Sequence, residues 1–230
     1  MNRVAVIRFP GANCDQDAFH AVRDDLGLEC HYVWHEDTSL SGFEAVFLPG
    51  GFTYGDYLRC GAIAGRAPIM DEVKRFADEG RPVIGACNGF QILCEAQILP
   101  GALLLNAQEK FVCKYVHIRA ENRQSIWTRG VEKPLRIPVA HGEGRYVVDP
   151  ETLARLEDED RVAFRYVDSN GELSDNSNVN GSVSAIAGVL NKNGNVLGLM
   201  PHPERAARAS LGSADGLQIL NALKLVTANH

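Results

Sequence analysis

Residues 81–93 read RPVIGACNGFQIL, and the reading of this stretch decides the fold. Pro82 to Ala86 is apolar and strand-like, whereas Phe90, Leu93, Cys94 and Ile98 recur at helical spacing. Cys87 therefore falls at a sharp strand-to-helix corner. That is the geometry of a nucleophile elbow, a strained turn that lifts a reactive side chain to the carboxyl edge of a sheet. Such a turn brings the residues two before and two after the nucleophile together, and here they are Gly85 and Gly89, which have no Cβ to clash. The helix N-terminus behind the sulfur favours negative charge at that point. A buried core thiol is the competing reading, since free cysteine is among the most buried residue types. Core packing is the reading that suits Cys94, seven residues on along the same helical face.

Outward from this corner, the first half of the chain alternates strand and helix. Residues 4–9 and 45–48 are short apolar runs of the kind buried in a parallel sheet, the second followed by Pro49-Gly50-Gly51. Helical patterns cover 15–26, ending at Gly27, and 68–78, ending at Gly80. The second half reads as extended segments at 116–119, 135–140, 162–167 and 184–190. Asn191-Lys192-Asn193-Gly194-Asn195 is a hairpin turn between 186–190 and 196–200, and a closing helix is predicted over 215–226. Residues 174–182, SDNSNVNGS, read as a mobile polar loop. The expectation is one α/β domain over 1–230, with a mostly parallel central sheet flanked by helices and an additional antiparallel strand region.

At 230 residues the chain buries roughly 70–75% of its unfolded surface, so no disulfide or metal staple is required. Six cysteines without a C-x-x-C pair are too sparse for a disulfide scaffold and read as reduced thiols. Met1-Asn2-Arg3 runs straight into strand-like sequence, and no apolar run approaches a membrane span, so a cytoplasmic protein is expected. A net charge of −6 and the lack of a clustered Lys/Arg stripe argue against nucleic-acid or anionic-membrane partners. The acidic run 157–160 reads as a solvated face or helix end.

A thiol nucleophile needs a base, and the base needs an orienting partner. In MPHPERA, His202 lies between two prolines, which bias it toward extended backbone, so that Glu204 two residues on flanks the ring. A surface histidine is the alternative. An oxyanion needs two N–H donors. Asn88, after the nucleophile, supplies one; Gly50, Gly51 or Phe52 in FLPGGFTYGD supplies the second, with Gly51 the assigned donor. Those glycines also suit a tight turn or a phosphate nest, but no P-loop pattern is present. No metal ligands are assigned.

GACNGFQ, PHPER and the PGG strand end together resemble the class I glutamine amidotransferases, a flavodoxin-like fold with a Cys-His-Glu triad. FPGANCD at 9–15, GGFTYGDYLRCGAIA at 50–64, PVAHGEGRY at 138–146, NGSVSAIAG at 180–188 and GSADG at 212–216 extend the resemblance to the PurQ-type glutaminase subunits of phosphoribosylformylglycinamidine synthase. The resemblance implies that Cys87 attacks the side-chain amide of L-glutamine, with His202 as acid–base and Glu204 orienting it. It further implies that Gln91, His141 and Gly142 contact substrate. By the same resemblance the ammonia goes to a large PurL-type synthase subunit, with a small PurS-type accessory subunit. ATP and Mg²⁺ are expected on the synthase, and no cofactor in this chain. Two alternatives stand beside it: a PfpI-type cysteine hydrolase on the same scaffold, and a non-catalytic regulatory subunit.

Overall fold

The computed structural model describes residues 3–225. Its strands, in chain order, are β1 (Arg3–Arg8), β2 (Glu29–Trp34), β3 (Ala45–Leu48), β4 (Val83–Ala86), β5 (Ala102–Leu104), β6 (Val112–Ala120), β7 (Leu135–His141), β8 (Arg145–Val147), β9 (Val162–Val167), β10 (Ile186–Leu190) and β11 (Val196–Leu199). Its helices are α1 (Asp15–His20), α2 (Ile69–Asp78), α3 (Asn88–Glu95), α4 (Pro150–Asp158), α5 (Gly216–Leu220) and α6 (Ala222–Leu225). Nine strands form one sheet in the order β2-β1-β3-β4-β11-β10-β9-β6-β7, and β5 pairs with β8 in a separate ribbon. From β2 to β11 the pairing is parallel; from β11 onward it is antiparallel. The expected architecture, a parallel core with an antiparallel extension, is therefore the one observed.

The parallel strands are buried on both faces, which is why they read as unbroken apolar runs. Val4, Val6, Ala45 and Phe47 face one core with Ala18 and Val22 of the first helical segment and Ile219 of α5. Ala5, Ile7, Val46 and Leu48 face the other with Val73 and Phe76 of α2 and Phe90 of α3. Alternate residues of each strand thus lie in opposite cores, as pleating requires.

Several expectations are corrected in detail. The helix expected over 15–26 is α-helical only to His20 and continues as a π-turn over Ala21–Asp25, closed by Leu26 N–H on the Ala21 carbonyl at 3.0 Å. Its end is where the glycine predicts, with Gly27 at φ +70°. The closing helix is interrupted at Asn221, and Val226 lies outside the described residues. Residues 183–185 form a 3₁₀ turn rather than the start of β10. The segment expected to be a mobile polar loop is fastened over its second half. Asn180 and Ser182 are buried, with Asn180 Nδ2 donating to the Gly144 carbonyl and Ser182 Oγ accepting from Tyr146 N–H. The acidic run is the end of α4, and Glu157 holds the Arg165 guanidinium at 2.6 Å. Among the described residues no helix is long and apolar enough to cross a membrane.

The chain leaves β1 outward to β2, then returns to β3 on β1's other side. This reversal is the topological switch point, where the loops after neighbouring strands separate and open a crevice at the carboxyl edge. The loops after β1, β3, β4 and β11 all meet there.

Candidate active site

Cys87 follows β4 directly and has φ +51° and ψ −108°, a backbone state that side chains adopt only where the surroundings impose it, at a cost of about 1–3 kcal/mol. Its N–H is fixed on the Leu199 carbonyl of β11 at 2.8 Å, and its carbonyl accepts from Phe90 and Gln91 N–H, which starts α3. A Cβ on Gly85 would stand 2.6 Å from the Gly89 carbonyl oxygen, and one on Gly89 would overlap the Leu48 carbonyl. The two glycines close the turn for the reason the sequence suggests.

Asn88, fully buried, secures the neighbouring loop. Its Oδ1 accepts from Thr53 N–H at 3.3 Å, and its Nδ2 donates to Gln91 Oε1 at 2.7 Å. The loops after β1 and β3 are joined by Cys14 N–H on the Gly50 carbonyl and Phe52 N–H on the Gly11 carbonyl. That bond occupies Phe52 as a donor. Gly51 has φ +143°, and a Cβ there would come 2.7 Å from Asn13 N, so only glycine fits.

His202 arrives from β11, its N–H bonded to the Pro138 carbonyl at 2.9 Å. Its ring and Glu204 meet at 2.6 Å between Nδ1 and Oε1, and both residues are buried. The pairing is as expected, but its cause differs. Pro203–Ala206 is a 3₁₀ turn, so the carboxylate reaches the ring by turning back rather than along an extended segment. Burial alone would pull the imidazole down; the adjacent Glu204 carboxylate and the nearby Cys87 and Cys14 thiols hold it well above its ordinary value. A Cβ on Gly50 would lie 2.7 Å from His202 Cε1 and 3.3 Å from Cys87 Cβ, so thiol and imidazole share the space that glycine leaves open.

Cys87, His202 and Gly51 line a common cavity of about 170 Å³, together with Cys14, Phe111 and Arg205. This is well below the roughly 300 Å³ of a site for a drug-sized ligand, and it suits one small amino-acid side chain. A cavity of about 720 Å³ beside Tyr54, Arg59 and Ile63 is larger but has no cysteine among its lining residues.

The remaining sequence candidates do not line the Cys87 cavity. Gln91 has both ends of its amide engaged, accepting from Asn88 and donating to the Glu143 carbonyl at 2.6 Å. His141 is buried with Nδ1 on Asn106 Oδ1 at 3.0 Å; burial, and then the charge of His202, push its ring down to about 4. The Gly142 carbonyl accepts from Asn106 N–H. Together they brace the end of β7, whose Ala140 carbonyl faces Cys87 Sγ at 3.7 Å.

Sequence reasoning assigned no role to Cys14, Phe111, Arg205 or Asn106. Arg205 binds Asp17 of α1 through Nε at 2.9 Å and so fastens the His202 segment to the first helix. Cys14 and Arg205 belong to motifs already visible in the sequence, FPGANCD and PHPER, but their convergence depends on β1 and β11, at opposite ends of the chain, running parallel in one sheet with only β3 and β4 between them.

A family model for the CobB/CobQ-like glutamine amidotransferase domain matches residues 1–215. Among solved structures, the PurLQS structure from Thermotoga maritima matches at 44% identity and TM-score 0.86, covering 97% of this chain and 98% of that one. A GMP synthase-type protein from Thermoplasma acidophilum shares the fold at 16% identity and TM-score 0.62, covering 98% of this chain and 94% of that one. A glutamine amidotransferase from Thermotoga maritima does so at 16% and 0.54, covering 98% and 93%.

Proposed function

The chain belongs to the CobB/CobQ-like glutamine amidotransferase family, and on that premise we propose that it is the PurQ-type glutaminase subunit of a phosphoribosylformylglycinamidine synthase, working in purine biosynthesis. The strained Cys87 corner facing a buried His202–Glu204 pair is the observation that carries this reading.

The Cys87 sulfur attacks the side-chain amide carbon of L-glutamine, and the carbonyl electrons move onto oxygen. Asn88 N–H at the helix N-terminus and Gly51 N–H stabilise that oxyanion; Phe52 N–H, already given to Gly11, is the weaker choice. His202, having taken the Cys87 thiol proton as the sulfur attacks, gives it to the departing nitrogen, so ammonia leaves and a glutamyl thioester remains. Water, deprotonated by His202, then releases glutamate and the free thiol. Glu204 keeps the imidazole in one tautomer and supports its charged form. The small cavity and the family membership favour this amide chemistry over a PfpI-type hydrolase or a silent subunit.

Ammonia freed into neutral water is protonated and loses its nucleophilicity, so the reaction is useful only when coupled to a second active site. A PurL-type synthase, carrying ATP and Mg²⁺, is that acceptor, and a PurS-type subunit completes the assembly. The PurLQS relative supports the synthase partnership. A cytoplasmic location goes with this reading, supported by six free thiols. The test is Cys87→Ala in the assembled synthase: glutamine-dependent amidine formation is lost while ammonia-dependent formation continues. Loss of both, or retention of both, contradicts the assignment.

A further inference from the structure

The loop after β3 begins inside the candidate site and runs out of it. Gly51 and Phe52 line the Cys87 cavity, yet a few residues further on Tyr57 is 74% and Leu58 93% exposed. Phe52 and Ile63 of the same loop, and Phe111 on the cavity lining, are exposed as well. A leucine so far out buries almost nothing within its own chain, and large apolar side chains held out together mark a contact surface.

The exposure is built into the backbone. Tyr54, Gly55, Asp56 and Leu58 have φ between +54° and +69°, a left-handed state that only the glycine adopts freely. On either side the loop is pinned. Thr53 N–H donates to Asn88 Oδ1, the Tyr54 hydroxyl meets His35 Nδ1 at 2.7 Å, and Arg59 forks onto Glu95 of α3 with two bonds of 2.6 Å. Gly61 lies against α3, since a Cβ there would stand 2.8 Å from Ile92 N. Strained backbone persists only where the surroundings over-determine it, and here they direct Tyr57 and Leu58 outward as a prong. Leu58 also walls the cavity of about 720 Å³, where Ala62, Ile63 and Pro68 add apolar surface and Arg59 and Glu95 neutralise each other.

We propose that Tyr57 and Leu58 are the docking prong for the ammonia-accepting synthase subunit, which receives them in an apolar socket and fills the cavity beside them. The inference rests on the glutaminase-subunit reading. Continuity selects the occupant: the prong and the catalytic mouth are one loop, so a body seated on Leu58 also closes over Phe52 and Phe111. Ammonia made at Cys87 needs that cover on its way to the subunit that consumes it, and a second copy of this chain has no use for it. Thr53, bonded to Asn88, ties the base of the prong to the nucleophile corner, so docking and glutamine hydrolysis are linked through one short pinned segment.

The test titrates the full chain with the purified PurL-type synthase and its small PurS-type subunit, following association by sedimentation velocity. Leu58→Asp is expected to weaken association at least tenfold with an unchanged melting temperature, because the side chain it replaces packs on nothing in the free chain. Tyr57→Ala, a second variant that adds no charge, is expected to weaken it in the same direction. Wild-type affinity in both variants overturns the prong and leaves the glutaminase-subunit reading standing. No association of the wild-type chain with the synthase overturns both. A wild-type dimer that Leu58→Asp converts to a monomer, with synthase affinity intact, assigns the prong to a second copy and overturns the proposal.

Discussion

His141 carries a pH dependence that its surroundings dictate. Its ring is buried beside Asn106, whose Oδ1 meets His141 Nδ1 and accepts from Gly144 N–H while its Nδ2 donates to the Lys110 and His141 carbonyls. Burial first, and the nearby His202 second, depress the imidazole to about 4. Between the ordinary value near 6.5 and about 4, the unfolded chain therefore binds a proton that the native state refuses. Stability falls as pH drops through that window, by about 3 kcal/mol in all, and is fully present above it. Urea melts of wild type and His141→Gln from pH 7 to pH 4 should show the wild type losing stability more steeply. Parallel curves would mean that His141 does not titrate in this way. At this scale the Cys87 corner and the His202–Glu204 pair proposed as the catalytic trio were legible, because Cys87 between Gly85 and Gly89, and His202 two residues before Glu204, are local patterns. Cys14 was not, since its setting depends on three strand ends brought together by the sheet.

Strand and helix junctions determine whether those side chains meet. The corner between β4 and α3 tolerates no Cβ at Gly89, because one would overlap the Leu48 carbonyl at the end of β3. Gly89→Ala must push α3 away from β3, and with it Asn88 and the loop that Asn88 Oδ1 holds through Thr53. Glutamine hydrolysis is expected to fall at least tenfold, with a loss of about 1–3 kcal/mol in unfolding free energy, the scale of overpacking. Unchanged kinetics in a stable variant would show that the tight junction is not what positions the nucleophile. Elements with unbroken apolar runs or a glycine stop, such as β3, β4, β9 and α2, were readable from sequence within a residue or two. Edge strand β2 was not, because Tyr32 and Trp34 are partly exposed and break the buried pattern. Helix α4 was missed although Asp149 caps it, accepting from Thr152 N–H at 2.9 Å ahead of Pro150. That signal is real, but α4 buries little beyond Leu156, so its apolar stripe is faint.

For the whole molecule, parallel strands β1, β3, β4 and β11 aim their loops at one crevice, and each contributes a piece of the site. The π-turn and the 3₁₀ turns show why the general architecture was easier to read than its joints: apolar alternation is a long signal, whereas a single shifted hydrogen bond leaves little trace in sequence. Phe52 and Phe111 line the cavity and are about half exposed, giving its mouth an apolar rim. A covered mouth keeps released ammonia from water, so glutaminase activity should be weak in the isolated chain and should rise on assembly with the synthase; equal rates alone and in complex would contradict that coupling. The central claim is that Cys87 is the nucleophile toward a glutamine side chain. Its most direct test is mass spectrometry of the protein, alone and with the synthase, after treatment with 6-diazo-5-oxo-norleucine. The account predicts a single adduct on Cys87, suppressed by excess glutamine. An adduct on another residue, or none even in the assembled complex, would contradict it.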